Sequence, residues 1–229
     1  MLLTIAARAS RLSRIQVSEV YGLLTKHFPE INFEPSFVSS PGDRDQQACL
    51  QSMDKSDFFT RDVDQLLLKR DVRIAIHSAK DLPEPLPKGL KIVAITEGVS
   101  KYDALVFPTG KVFATLPENA VIGVSSDRRE DAILEIIPDA DCYEIRGTVE
   151  NRIEQLENGD FDAIVVAEAA LIRLGIRHLY RLRLPGETAS LQGQLAIVAN
   201  EDDREIEFIF SQIDSRRSHG VTYDTLLRI

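Results

Sequence analysis

The chain has 229 residues, 44% of them hydrophobic, and 27 basic against 36 acidic side chains give a formal charge of −9. That apolar share supports a real core and excludes disorder as the general state, and the length suits one large or two small domains. No apolar run approaches the ~18 residues of a membrane span, and the acidic balance argues against a protein that holds nucleic acid by bulk charge.

Residues 2–6 read as a strand. The stretch 10–27 reads as a helix, with Leu12, Ile15, Val20, Leu23 and Leu24 on one apolar stripe. Arg8, Arg11 and Arg14, with no acid in the first 18 residues, superficially suit a transit peptide. The apolar pattern runs on past residue 18, so these residues are read as the opening elements of the fold. A strand at 32–38 is followed by the polar, turn-rich 39–57 (SSPGDRDQQACLQSMDKSD), whose length predicts a lid or a disordered loop. Next come a helix at 57–69, a strand at 72–76, and a bend marked by Pro83, Pro85 and Pro87. Strands at 91–96, 104–107 and 121–124 lead to a helix at 128–136 and a strand at 142–145. The helix at 149–158 buries Val149, Ile153 and Leu156, and Asn158-Gly159 stops it. A strand at 163–166, a helix at 168–174, a strand at 195–199 and a helix at 202–213 complete the pattern. This alternation predicts an α/β fold built on largely parallel sheet.

One local pattern recurs: a strand, then small residues and Arg, then a helix start. It occurs at 5–10, at 123–129 and at 144–148. In open α/β sheets ligands sit at the carboxyl ends of strands, where helix N-termini offer free N–H groups to anions. Ser10, Ser126 and Thr148 stand where caps belong, with Arg8, Arg128, Arg129 and Arg146 beside them. Arginine presents a planar fork that matches a carboxylate. The repeated pattern therefore predicts a pocket for a ligand with several carboxylates or phosphates. The alternative is surface arginines paired with acids such as Glu130 and Glu144. A second feature is the run 74–83, IAIHSAKDLP, in which a buried strand ends in His77, Ser78, Lys80 and Asp81. Asp81 could relay a proton or stabilise a cation forming on a substrate, or serve as a turn residue before the prolines. His77 reads as structural. Gly-x-x-x-x-Gly-Lys-Ser/Thr, Gly-x-Ser-x-Gly and zinc or EF-hand spacings do not occur in the chain. Two cysteines, Cys49 and Cys142, are too few for a disulfide framework and fit a reduced, cytoplasmic protein.

In order along the chain, IAARASRLSRIQ (5–16), FFTRDVDQLLL (58–68), IAIHSAKDLP (74–83), GVSSDRRE (123–130), IRGTVENRI (145–153), LENGDFDAIVVAEAALIRLG (156–175) and LQGQLAIVAN (191–200) resemble the porphobilinogen deaminase (hydroxymethylbilane synthase) family. The resemblance implies a fold of two lobes like those of periplasmic binding proteins, with mixed, mostly parallel sheets and helices on both faces. Lobe one would be 1–97 plus 193–213, lobe two 98–192, and 214–229 a tail. It implies stepwise condensation of four porphobilinogen molecules with release of ammonia, in haem and other tetrapyrrole synthesis. By the same resemblance Asp81 matches the catalytic aspartate. Arg8, Ser10, Lys80, Ser125, Ser126, Arg128, Arg129, Arg146, Gly147, Arg152 and Arg173 match carboxylate-binding positions, and Gln192 a cleft glutamine. The only partner implied is the pyrrole carboxylate substrate: no nucleic acid, no membrane, and a monomer. No metal is expected.

The family carries a dipyrromethane cofactor on a cysteine of a third domain. The sequence 215–229 (SRRSHGVTYDTLLRI) has no cysteine and is too short for such a domain. Neither Cys142 nor Cys49 matches the attachment position; Cys49, in the 39–57 loop, is the weak alternative. Asp127 stands between Ser126 and Arg128, where it would weaken the local positive field. The expectation is therefore a deaminase holding its primer without the usual tether, or alternatively a homologue that binds polycarboxylate pyrroles without catalysis. An ordinary solute receptor is disfavoured, because no export signal is read at the N-terminus.

Overall fold

Six consecutive buried residues, Leu195–Asn200, form a strand of the first sheet. A run that is buried at every position rather than at alternate ones marks a strand covered on both faces. The computed structural model describes residues 1–39 and 60–218, and within them this strand, β10, has β3 (Ile74–Ser78) and β4 (Leu90–Ile95) as neighbours. With β1 (Leu2–Arg8) and β2 (Asn32–Val38) the sheet has the order β2-β1-β3-β10-β4. Helix α1 (Arg11–Leu24) buries Val17, Val20 and Leu24 on one face of it. Helix α2 (Arg61–Leu68) places Val63 and Leu67 in the cluster of Ala75, Ala79, Leu82 and Val198. These elements, with the C-terminal helix described below, make one compact unit from residues 1–39, 60–98 and 194–218.

Residues 99–193 make the second unit, around a sheet of order β7-β6-β8-β5-β9. Its strands are β5 (Asp103–Val106), β6 (Val121–Val124), β7 (Asp141–Glu144), β8 (Ala163–Ala167) and β9 (Arg181–Arg183). Helix α3 (Asp127–Ile136) sets Ile133 against Leu105, Ile122 and Val165. Helices α4 (Val149–Glu157) and α5 (Glu168–Leu174) supply Leu156 and Leu171 to a second cluster with Ile164 and Val166. In each unit, then, helices shield two faces of one sheet, the α/β architecture that the alternation predicted.

Among the described residues, each sheet has two parallel and two antiparallel pairings, a smaller parallel share than the alternation suggested. The antiparallel pairings are those of β10 and β5, the strands that enter their sheets by a long return or straight from the other unit. Strand β3 starts two residues later than expected and runs on to Ser78. Strand β9 was not foreseen. The helix expected at 202–213 is α6 (Arg204–Phe210) followed by a 3₁₀ turn at Ser211–Ile213, and Ile206, Ile209 and Phe210 join the α1 side of the core. A last short helix, α7, spans Ser215–Ser218. The predicted loop at 39–57 and the start of the helix at 57–69 fall almost wholly outside the described residues. Among the described residues no helix is long and apolar enough to cross a membrane.

Candidate active site

In the first unit β1 and β3 lie side by side and parallel, so their carboxyl ends share one edge of the sheet. Strand β1 ends at the half-buried Arg8, and the next N–H, of Ala9, is fixed to Val38 O at 2.8 Å. Ser10 then caps α1, its Oγ accepting the Ser13 N–H at 3.2 Å, and no acid stands in the first turn. Strand β3 passes at the same edge into one 3₁₀ turn, Ala79–Asp81. With three residues per turn, Ala79 and Leu82 fall on the same side of it. Both are buried, at 3% and 5% exposure, in the cluster beneath. Ala79 N–H donates to Gln194 O at 3.0 Å, and Ser78 Oγ accepts Gln16 Nε2 at 2.9 Å. The turn is thereby clamped through its apolar residues, and Lys80 and Asp81 remain half-buried at the edge. His77 turns the other way: it is buried, with Nε2 3.2 Å from Asp64 Oδ1, in keeping with a structural role.

In the second unit the parallel strands β6, β7 and β8 gather their carboxyl ends likewise. Strand β6 leads into Ser125-Ser126 and α3, and β7 into Arg146-Gly147-Thr148 and α4. Thr148 caps α4, accepting the Asn151 N–H at 3.3 Å. Ser126 occupies the N-cap position of α3, but its side chain makes no capping bond, so only two of the three expected serine and threonine caps form. Gly147 sits at φ +97, and a β-carbon there would lie 3.1 Å from Asn151 Cβ; the turn into α4 needs glycine.

A chain of polar contacts joins these residues. Arg128 Nη1 donates to Glu187 O at 2.9 Å, and its Nη2 lies 2.8 Å from Asp103 Oδ2. Arg129 donates from Nε (3.0 Å) and Nη2 (2.6 Å) to Asp103 Oδ1, and from Nη1 to Ser125 Oγ at 2.8 Å. Arg152 Nη1 reaches the same Ser125 Oγ at 3.2 Å, and its Nε donates to Gly147 O at 3.0 Å. Asp103, at the head of β5, is 2% exposed; burial alone would raise its carboxyl, but Arg129 and then Arg128 outweigh that and hold it below its ordinary value. Sequence reading missed Asp103. The available signal was an acid opening a buried strand, which must have a partner.

The remaining expected residues are placed as follows. Arg146 pairs with Glu144 two residues before it, the partner weighed as the alternative for these arginines, though its side chain is only 18% exposed. Gln192 is buried, and its Nε2 donates to Lys101 O at 2.9 Å. Arg173 Nη2 donates to Gly193 O at 2.8 Å. Close by, Glu168 accepts Ser100 Oγ at 2.7 Å and Arg183 Nε at 3.0 Å; burial raises its carboxyl, but Ser100, Arg183 and Arg181 together bring it below its usual value.

A polycarboxylate group tethered as a thioether makes two demands on this chain. Guanidinium and hydroxyl donors clustered at strand ends suit its carboxylates. Cys142 does not suit its tether: the thiol lies half-buried on β7, and burial, with Glu130 and Asp141 nearby, pushes it up to about 11, away from the reactive thiolate. Cys49 lies outside the described residues. Among the described residues no group of acids, histidines and cysteines is set to hold a metal.

Comparison with known proteins supplies the context. A profile described as porphobilinogen deaminase, dipyromethane cofactor binding domain, matches residues 3–208. A probable porphobilinogen deaminase of Chlamydia pneumoniae is 39% identical, over 94% of this chain and 92% of its own length. A porphobilinogen deaminase of Legionella pneumophila is 34% identical, over 90% of this chain and 68% of its own. Among solved structures, an ancestral cationic amino acid solute binding protein aligns with a TM-score of 0.58 at 12% identity, covering 98% and 93% of the two chains. The VFT2 domain of Bordetella pertussis BvgS aligns at 0.53 and 14%, covering 98% and 90%. At such identities these two likenesses speak for the two-lobed α/β fold alone. Matched by the profile from the third residue to well past β10, and by the Chlamydia relative along nearly the full length of both, the chain belongs to the porphobilinogen deaminase family.

Proposed function

We propose that the chain is a porphobilinogen deaminase (hydroxymethylbilane synthase), a cytoplasmic transferase that joins four porphobilinogen molecules head to tail and releases ammonia at each step. The observation that carries this reading is the clamped turn Ala79–Asp81, which holds Asp81 and Lys80 at the sheet edge where β1 delivers Arg8.

In each step the bond from the aminomethyl carbon to nitrogen breaks, and the amine leaves as ammonia after gaining a proton. The pyrrole left behind is an azafulvene cation, its positive charge shared between the methylene carbon and the ring nitrogen. A carboxylate fixed beside that nitrogen lowers the energy of the charge as it develops, and preorganisation makes the effect larger than in water. Asp81 is assigned that role. The α-carbon of the terminal ring of the growing chain then bonds to the methylene carbon and loses its proton. Every ring brings an acetate and a propionate. Arg8, Ser10 and Lys80 on the first unit, and Ser125, Ser126, Arg128, Arg129, Arg146, Gly147 and Arg152 on the second, are assigned to those carboxylates. Arg173 and Gln192 are assigned supporting contacts. The family's dipyrromethane, when bound, supplies the first nucleophilic pyrrole carbon. Its carboxylates suit the same donors, and no tethering step is drawn through Cys142.

The test is ammonia release from porphobilinogen by the purified chain and by Asp81→Asn. The reading expects release by the wild type and a loss of about a hundredfold or more in kcat for the variant, with its melting temperature unchanged. Equal turnover by the two proteins would remove Asp81 from the reaction.

A further inference from the structure

The second unit's arginines converge on a carboxylate that is no part of the carboxylate-binding set just assigned. Asp103 Oδ1 takes two donors from Arg129, and Oδ2 stands 2.8 Å from Arg128 Nη2. Two adjacent guanidiniums would repel one another and splay apart without a shared anion. The three side chains differ in access. Those of Asp103 and Arg129 are 2% and 7% exposed, whereas that of Arg128 is 34% exposed. The buried pair thus forms a strut on the β5 strand, and Arg128 is the arm of the group that reaches solvent. Arg128 is held at both ends of its fork, by Asp103 and by Glu187 O at 2.9 Å. The strut continues through Ser125 Oγ, which receives both Arg129 and Arg152.

We infer that Asp103 is a positioning residue for substrate carboxylate: held in place by the buried Arg129, it fixes the fork of Arg128. Asp103 is one carboxylate shared by two guanidiniums, so the exposed Arg128 keeps a positive charge for a carboxylate of the pyrrole, and Asp103 itself never touches the ligand. This assignment rests on the deaminase reading for the identity of the ligand, and on the geometry of the second unit for the role.

The test is a double-mutant cycle of Asp103→Asn and Arg128→Ala, read as KM and kcat for porphobilinogen. Asp103→Asn is expected to raise KM about tenfold or more while kcat changes much less. In the Arg128→Ala background the same change should move KM less than about twofold, because its effect passes through Arg128. A merely structural lesion would add to Arg128→Ala in full, and that result overturns the inference. If Asp103→Asn does not fold, because Arg129 is left as an unpaired buried charge, Asp103→Asn combined with Arg129→Met is compared with Arg129→Met alone. The pair should show the same rise in KM, and equal KM values would refute the role. If the wild type releases no ammonia, the deaminase reading falls. The cycle is then read as the Kd of porphobilinogen by calorimetry, where the expected pattern is unchanged and a fully additive cycle, or no binding by the wild type, overturns the inference.

Discussion

Gly193→Ala should be among the most damaging single-methyl additions available to this chain, and its cost can be worked from geometry. The backbone at Gly193 has φ +83, and a β-carbon built there would overlap the Ser100 carbonyl oxygen while lying 2.9 Å from the Ser100 carbonyl carbon and 3.2 Å from its nitrogen. All three neighbours are backbone, so no rotamer change relieves the clash. Gly110 has nearly the same backbone, φ +79, with nothing within 4 Å of its notional β-carbon. Alanine at Gly110 therefore meets only the left-handed strain, about 1–2 kcal/mol. At Gly193 the chain must also move, which breaks the Arg173 hydrogen bond to Gly193 O (2.8 Å), a charged-donor contact worth about 1.5–3 kcal/mol. The sum is about 2.5–5 kcal/mol. For a chain of this size each kcal/mol is worth about 2–4 °C in Tm, so Gly193→Ala should melt roughly 5–20 °C low and Gly110→Ala roughly 2–8 °C low. Scanning calorimetry of the two variants beside the wild type reads this directly. A Gly193→Ala Tm within about 2 °C of Gly110→Ala would refute the reasoning, because strain at positive φ would then be the whole cost.

Three further outcomes follow from packing and charge. Phe210→Ala, which empties a fully buried ring site between α1 and the first sheet, should cost about 3–5 kcal/mol in chemical denaturation, and a cost below about 1.5 would mean that the core closes over the gap. Asp103 and Glu168 both have folded-state pKa values below their unfolded ones. Their stabilisation is therefore complete above the unfolded values, near pH 4, and is lost as pH falls through the folded ones; an acid titration followed by circular dichroism should show Asp103→Asn with a flatter acid limb than the wild type, and parallel limbs would contradict the ion-pair account. Cys142, with its thiol pushed up to about 11, should alkylate far more slowly at pH 7 in the folded protein than in denaturant, as read by peptide mass mapping. Equal rates would mean that the thiol is neither buried nor shifted.

Much of this architecture was legible from periodicity. Helix α5 at Glu168–Leu174, which the left-handed Gly175 stops, and strands β2 and β6 match their sequence reading to the residue. Direction was not legible. An apolar strand such as Leu195–Asn200 has the same pattern whichever way it runs, so the antiparallel placement of β10 and β5 came only from the structure. Strand β9 escaped because it is three residues long, too short for its polar–apolar alternation to stand out. Of the arginines that resemblance assigned to carboxylates, Arg128, Arg129 and Arg152 share one network, whereas Arg146 pairs with Glu144 and Arg173 braces Gly193. Local sequence marks a guanidinium but not its partner, and the partner that organises the group, Asp103, stands more than twenty residues away in the chain.

The measurement that bears most directly on the central claim is native mass spectrometry of the purified wild-type chain and Asp81→Asn after mixing with porphobilinogen. The account predicts a ladder of successive pyrrole additions on the wild type, each lighter than porphobilinogen by one ammonia, and a ladder that fails to advance on the variant. A single adduct of intact porphobilinogen, equally abundant on both proteins, would contradict it: the chain would then be a binder of pyrrole carboxylates that does no chemistry.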